Sequence, residues 1–129
     1  MTDTNPVENL SSAAEQIRAF NHVSFRDTDN DDWAYPIHTY KAAGNLSHLA
    51  HMLGQAIEQA TRPAMRTYED GRLLISGQGD PDAAVVQMLA ASEDAVQHAQ
   101  DLAAALGRLH SATSAMAVDT EGLPGFTEG

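Results

Sequence analysis

The chain has no cysteine, a single lysine and no long apolar run. The absence of cysteine excludes disulfides, thiolate metal ligands and cysteine nucleophiles. No apolar stretch approaches the roughly 18 residues that a membrane-spanning helix needs, and no basic segment followed by an apolar one opens the chain. We therefore expect a cytoplasmic protein that has no membrane partner.

Positive charge is scarce throughout the sequence. Only 7 lysines and arginines accompany 18 aspartates and glutamates, which gives a formal net charge of −11. Such a surface repels a phosphate backbone unless the few arginines cluster, so direct binding of nucleic acid is disfavoured. The same charge supports one alternative function, an acidic decoy that occupies the DNA-binding surface of a repressor, nuclease or polymerase.

What the sequence does contain is a long helical pattern between Asp80 and Val118. Asp80 followed by Pro81 is a typical helix start, and no proline interrupts the residues that follow. Apolar and small residues recur with the heptad spacing of a helix that packs lengthwise against other helices. The predicted seam, serving both the core and a dimer, consists of Met88, Ala95, Ala99, Leu102, Leu106 and Leu109.

Two further helices are predicted before this one. An asparagine cap and Pro6 begin a short first helix that should run to about His22. A polar loop at residues 24–32 follows, and Pro36 opens the second helix, which Pro63 ends or kinks. A connection of roughly fifteen residues then allows the second and third helices to fold back on each other.

These patterns predict an all-α fold. The architecture is an elongated antiparallel helical hairpin with a short N-terminal helix, forming a single domain over residues 1–118 and a flexible C-terminal tail over 119–129. The hairpin has more apolar surface than the short helix can cover. We therefore expect two copies to complete a four-helix-type bundle as a homodimer.

Aromatic residues are few and concentrated in one segment. Five of the seven lie between Phe20 and Tyr40. Aromatic side chains often dominate the binding energy of interfaces, so a partner protein could bind here. A competing interpretation is that these rings gain most from burial in a small core of their own chain. The predicted partner-binding residues are Trp33, Tyr35, Asp29, Asp31 and Asp32.

Two histidines, His48 and His51, are weak candidates for metal ligands. Their spacing of three puts them on one side of a helix, but a helical projection places that side towards solvent with no obvious third ligand. Zinc needs at least three protein ligands, so we predict no metal and no cofactor. A histidine-based metal sensor or small enzyme stays as an alternative, although no catalytic grouping can be assembled from the sequence.

Several short motifs resemble a pattern in small helical proteins of unassigned function from actinobacteria, Streptomyces-like genomes and their mobile elements. The motifs are Asn21-His22, Trp33-x-Tyr35-Pro36, Tyr40, Gly44-x-Leu46 and a run from Leu49 to Gln59. The resemblance covers residues 14–118. It implies a helical fold and an actinobacterial or phage-related origin, but no activity and no site residues.

The leading functional hypothesis is a homodimeric protein–protein interaction module that is not an enzyme. Its partners would be a second copy of itself and another protein, in the phage or mobile-element context that the resemblance implies. The acidic decoy and the histidine-based metal sensor are the alternatives.

Overall fold

The structure, a computed structural model, describes residues 5–26 and 31–122. These residues contain α1 (Pro6–Arg26), a 3-10 helix (Asp31–Trp33), α2 (Pro36–Ala60), α3 (Arg62–Glu69) and α4 (Pro81–Thr113). No strand occurs in either described range, so the predicted all-α fold is confirmed. None of the helices in these ranges is long and apolar enough to cross a lipid bilayer.

The chain divides into two compact units. The first holds the described residues up to His38 and those from Ala117 onward, and the second is Thr39–Met116. The first unit therefore contains α1, the 3-10 helix and the start of α2, and the second contains the rest of α2 with α3 and α4. The single domain over residues 1–118 stays a prediction, and of the predicted tail the structure describes 119–122.

Helix α1 and helix α4 begin at the residues that the sequence predicts. The side chain of Asn5 accepts hydrogen bonds from the backbone N–H groups of Val7 at 3.1 Å and Glu8 at 3.3 Å. The side chain of Asp80 accepts one from the N–H of Asp82 at 3.1 Å. Each cap satisfies backbone donors that have no partner inside the helix, and each is followed by a proline that lacks the donor.

Helix α1 is longer than predicted. The expected end at His22 is wrong, because the helix continues to Arg26 and contains 21 residues. No glycine or proline lies between Asn21 and Arg26, and ordinary residues cost a helix only a few tenths of a kcal/mol each. The Ser24 hydroxyl also donates to the Asn21 carbonyl at 3.5 Å. The first helix is therefore not short, and residues 24–26 of the predicted loop are helical.

Helix α2 ends at Ala60, and a separate helix, α3, follows at once. Pro63 lies in the first turn of α3, where the missing N–H costs nothing. The expectation that Pro63 ends or kinks the second helix is confirmed. Helix α3 itself was not predicted from the sequence, because eight residues are too few to show a clear helical period. Neither Gly44 nor Gly107 interrupts the helix that contains it.

Helix α4 ends earlier than predicted. The expected end near Val118 is wrong, because the last helical residue is Thr113. The Thr113 hydroxyl donates to the carbonyl of His110 at 2.9 Å, and the Ser114 hydroxyl donates to that of Ser111 at 2.8 Å. Such side-chain bonds compete with the backbone ladder, so they end the helix at a position where the apolar pattern alone continues.

Within the second unit, α2 and α4 form an antiparallel hairpin. A Cβ atom built on Gly44 would lie 2.9 Å from the Nε2 atom of His110, and one built on Gly54 would lie 3.7 Å from a methyl carbon of Val96. The later residue on α2, Gly54, therefore contacts the earlier residue on α4, Val96. The two helices run in opposite directions. The predicted antiparallel hairpin is confirmed.

Small side chains make the contact inside this hairpin. The buried apolar residues in the described part of the chain are Ala43, Ala50, Val85, Ala99 and Ala103. No large side chain in that part is fully buried. Alanine lets two helices approach closely, but it removes little apolar surface from water. No leucine, isoleucine or methionine of α2 or α4 is buried, and all of them are half-buried or exposed.

Candidate functional site

The hairpin of α2 and α4 has two distinct sides. A helix turns about 100° per residue, so residues spaced alternately three and four apart share one side. One side, which we call the groove side, contains a groove lined by Ala50, His51, Gly54, Gln55, Glu58, Val96, Gln100 and Ala103. On the opposite side each helix carries a stripe of apolar residues.

We call this opposite side the apolar side and define it by the two stripes. On α2 the stripe consists of Ala42, Leu46, Leu49, Leu53, Ala56 and Ala60. On α4 it consists of Ala84, Met88, Ala91, Ala95, His98, Leu102, Ala105 and Leu109. Neither stripe contains an aspartate, glutamate, lysine or arginine. In a chain with a net charge of −11, this surface is unusually free of charge.

Four leucines of the apolar side are substantially exposed. Leu49 and Leu53 on α2 have 37% and 41% of their surface accessible, and Leu102 and Leu109 on α4 have 48% and 44%. Scattered exposed leucines are ordinary in folded proteins. Four that share one uncharged side of a hairpin are instead typical of an interaction surface.

The predicted seam spans both the inner contact and the apolar side. Ala99 is buried, whereas Leu102 and Leu109 are exposed. The remaining members are half-buried, namely Met88, Ala95 and Leu106. Of the four large members of the seam, two are thus exposed and two are half-buried, and their role in a dimer stays a prediction.

The groove side is polar at its rim and apolar at its floor. The groove has a volume of about 330 Å³. The ring of His51 lies on the rim with its Nδ1 atom 2.8 Å from the Ser47 carbonyl oxygen. Because a carbonyl only accepts, Nδ1 carries the proton and donates. Gln55, Glu58 and Gln100 add hydrogen-bonding groups to the rim, but no nucleophile with an adjacent base.

His48 and His51, the weak metal candidates, are both exposed on α2. Within residues 5–26 and 31–122, no group of three or more histidine, aspartate or glutamate side chains is placed to hold a metal ion. The described geometry therefore supplies no third ligand to this pair, and nothing in it favours the metal-sensor alternative.

The aromatic segment lies in the first unit. The ring of Trp33 contacts that of Phe20 on α1, with ring centres 5.3 Å apart and planes at 86°. This edge-to-face arrangement is a favourable one for aromatic pairs. Trp33 and Tyr35 are nevertheless only half-buried, and Asp31 and Asp32 beside them are exposed. The rings form a small cluster and also retain surface that a partner can reach.

One of the predicted partner-binding residues, Asp29, lies outside the described residues. Asp31 and Asp32 belong to the 3-10 helix that ends at Trp33. The structure thus brings two of the three predicted aspartates next to the aromatic pair. Their contact with a partner stays a prediction.

His38 is a feature of this segment that the sequence analysis missed. Its Nδ1 atom accepts hydrogen bonds from the backbone N–H groups of Ala34 and Tyr35, each at 3.1 Å. Its ring centre lies 5.8 Å from that of Tyr35. In a capping box, a glutamate or glutamine at the third helical position reaches back in the same way. The position of His38, two residues after Pro36, could have indicated this role.

A second missed feature lies where α2 meets the C-terminal part of α4. The rings of Tyr40 and His110 stack with their centres 4.1 Å apart and their planes at 24°. The His110 ring also lies directly over Gly44, where it occupies the space that a methyl group would need. Both rings are half-buried. This contact fixes the register between the two helices at one end of the hairpin.

A hydrogen bond between α3 and α4 holds the other end. The Tyr68 hydroxyl donates to a carboxylate oxygen of Asp82 at 2.6 Å. This bond and the negative charge of Asp82 raise the pKa of the Tyr68 hydroxyl, with smaller contributions from desolvation and from Asp80. A phenolate here would lose the bond and face two carboxylates, so the neutral form is favoured.

No protein-family model, no curated protein and no solved structure matches this chain. The resemblance to small actinobacterial proteins therefore stays a prediction.

Proposed function

We propose that this chain is a non-enzymatic interaction protein that acts as a homodimer, with the apolar side of the hairpin as the surface between the copies. One observation carries the proposal: the hairpin buries alanines and exposes leucines. Ala50 and Ala103 are 3% exposed, whereas Leu102 retains 48% of its surface. Folding of the single chain therefore leaves much of its apolar surface in water.

A second copy is the occupant that best fits this surface. Removal of apolar area from water contributes roughly 25 cal/mol per Å². Two-fold pairing would cover both stripes of each hairpin at once, because the same patch meets itself across the symmetry axis. The product is a four-helix arrangement in which leucines of one copy pack against the alanine and leucine rows of the other.

The charge distribution favours this side over the groove side. Two copies with a formal charge of −11 each repel one another over long distances. The groove rim carries Glu58, whereas the stripes contain no aspartate, glutamate, lysine or arginine. Approach through the apolar side therefore keeps the carboxylates apart. Added salt should strengthen the dimer, because it screens the remaining repulsion.

Sedimentation equilibrium of the unmodified protein tests this proposal. The monomer has a mass of 13.8 kDa, so the dimer has twice 13.8, or 27.6 kDa. We expect the dimer mass at micromolar concentrations and tighter association at higher salt. A monomer mass over the whole accessible concentration range would overturn the proposal.

The aromatic segment is the proposed contact for another cytoplasmic protein. Trp33 and Tyr35 provide half-buried rings, and Asp31 and Asp32 provide exposed charge at its edge. A tagged chain should capture a stoichiometric protein from its host, and Trp33→Ala should lose it while the dimer persists. Capture that disappears at high salt and survives Trp33→Ala would instead favour the acidic decoy. The phage or mobile-element setting enters the proposal through the sequence resemblance alone.

A further inference from the structure

The start of α2 is held by a histidine side chain that can accept hydrogen bonds only in its neutral form. Nδ1 of His38 accepts from the N–H groups of Ala34 and Tyr35, both at 3.1 Å. An imidazole nitrogen accepts a hydrogen bond only through its lone pair, so Nδ1 is unprotonated and Nε2 carries the proton. The usual residues in this role, glutamate and glutamine, keep an acceptor oxygen near neutral pH.

Protonation of His38 would remove this cap. An imidazolium has a donor on both nitrogens, so Nδ1–H would point towards two other N–H groups. Its positive charge would also lie in the first turn of α2, where the partial positive charge of the helix N-terminus disfavours cations.

The cap acts on the segment that carries the proposed partner contact. Ala34 lies between Trp33 and Tyr35, and the His38 ring bonds to the backbone of Ala34 and Tyr35. Two bonds in this short stretch restrict the position of Trp33, whose ring packs edge-to-face on Phe20. Loss of both bonds would free the stretch and weaken that packing.

The described residues that neighbour the His38 ring in space or in sequence include an aromatic ring and two carboxylates. The Tyr35 ring faces it at 5.8 Å, and Asp31 and Asp32 of the 3-10 helix are the nearest acidic residues before it in the sequence.

We propose that His38 is a pH-sensitive cap that holds the Trp33–Tyr35 segment in its partner-binding arrangement near neutral pH and releases it when protonated. The proposal rests on the proposed function only for its consequence, namely that partner binding weakens on acidification. The switch itself is a property of the isolated chain.

The fluorescence of the isolated protein tests the switch. Trp33 is the only tryptophan, so its emission reports on this segment alone. Titration from about pH 8 to about pH 5 should shift the wild-type emission to longer wavelength as the ring enters water. His38→Gln retains an uncharged acceptor and should abolish the shift. His38→Ala should show the long-wavelength emission at both ends of the pH range.

His22→Gln is the matched control, because His22 is an exposed histidine on α1 and caps no described helix. The Trp33 emission of this variant should shift with pH as that of the wild type does. Circular dichroism at each pH should show that the helices persist, so that the emission reports a local change. A shift that survives in His38→Gln, or a wild type without any shift, overturns the proposal. Failure of Trp33→Ala to lose a captured partner would bear on the proposed function alone.

Discussion

The inner contact of the hairpin and its apolar side are built from residues of opposite size. Between the helices, Gly54 comes close to Val96 and the alanines are buried. On the apolar side, part of a turn away on the same two helices, Leu53 and Leu102 are exposed to about half of their surface. Small residues set the distance between the helices, and the exposed leucines remain available for contact with another molecule.

In a typical protein core, the same residues provide both van der Waals contact and hydrophobic free energy. In this hairpin, different residues provide the two contributions. Close approach through alanine gives van der Waals contact between the helices but little hydrophobic free energy. The leucines hold most of the hydrophobic free energy that the hairpin can still gain. We therefore infer that the small residues between the helices set the geometry of the hairpin. Burial of the exposed leucines against a second copy would then complete its stability.

The largest effect on the inner contact is expected from Ala103→Leu. Ala103 is 3% exposed, so three added carbon atoms would crowd the contact between the helices, although Ala103 also lines the groove. Overpacking of this kind lowers the free energy of unfolding by about 1–3 kcal/mol. Urea denaturation measures it, and Ala104→Leu, at the neighbouring exposed position, is the control. Equal stability of the two variants would contradict the tight inner contact.

A smaller effect is expected from Gly44→Ala compared with Gly54→Ala. Both changes favour the helix by about 1 kcal/mol through helix propensity. At Gly54 the new methyl would lie 3.7 Å from Val96, an ordinary contact, but at Gly44 it would lie 2.9 Å from the His110 ring. His110 would have to leave its stack on Tyr40, which offsets the gain.

Thermal unfolding of the two glycine variants provides the measurement. Gly54→Ala should unfold at a higher temperature than the wild type, and Gly44→Ala should not. Equal stabilisation at both positions would show that His110 is not held over Gly44. The register of the hairpin would then depend on other contacts.

The smallest effect concerns the hydrogen bond from Tyr68 to Asp82. Because the pKa of the Tyr68 hydroxyl is raised in the folded chain, the folded state holds this proton more tightly than the unfolded state. The stabilisation is present below the unfolded value of about 10 and is lost as the pH rises through the higher folded value. The stability difference between wild type and Tyr68→Phe should therefore vanish at high pH.

An ultraviolet titration of tyrosinate absorbance follows the ionisation of the Tyr68 hydroxyl directly. Tyr68→Phe should remove a component that appears above the ordinary tyrosine range, and Tyr40→Phe should leave that component in place. A late component that persists in Tyr68→Phe would assign it to another tyrosine and argue against the bond to Asp82.

The helix starts were predictable from sequence, and the helix ends were not. Asn5 and Asp80 supply side-chain acceptors next to prolines, which are strong local signals. The ends at Arg26 and Thr113 depend on small differences in propensity and on side-chain bonds such as that of Thr113, so the predictions of His22 and Val118 were wrong. Helix α3 was missed because its pattern is too short.

For the candidate site, the heptad pattern identified the residues of the seam. It did not show which of them lie in the inner contact of the hairpin and which lie on the apolar side. Ala99 and Leu102 both belong to the predicted seam, yet one is buried inside the hairpin and the other is exposed. Their separation depends on the register between α2 and α4, which the contact of Gly44 with His110 helps to fix. A contact between residues so far apart in sequence leaves no local signal.

The most direct test of the central claim compares Leu102→Glu with Gln100→Glu by sedimentation equilibrium. Both changes add one negative charge to α4, the first on the apolar side and the second at the groove. Leu102→Glu should raise the dimer dissociation constant more than tenfold, or about 1.4 kcal/mol, while Gln100→Glu leaves it nearly unchanged. Equal association of the two variants, with helix content preserved, would contradict dimerisation through the apolar side.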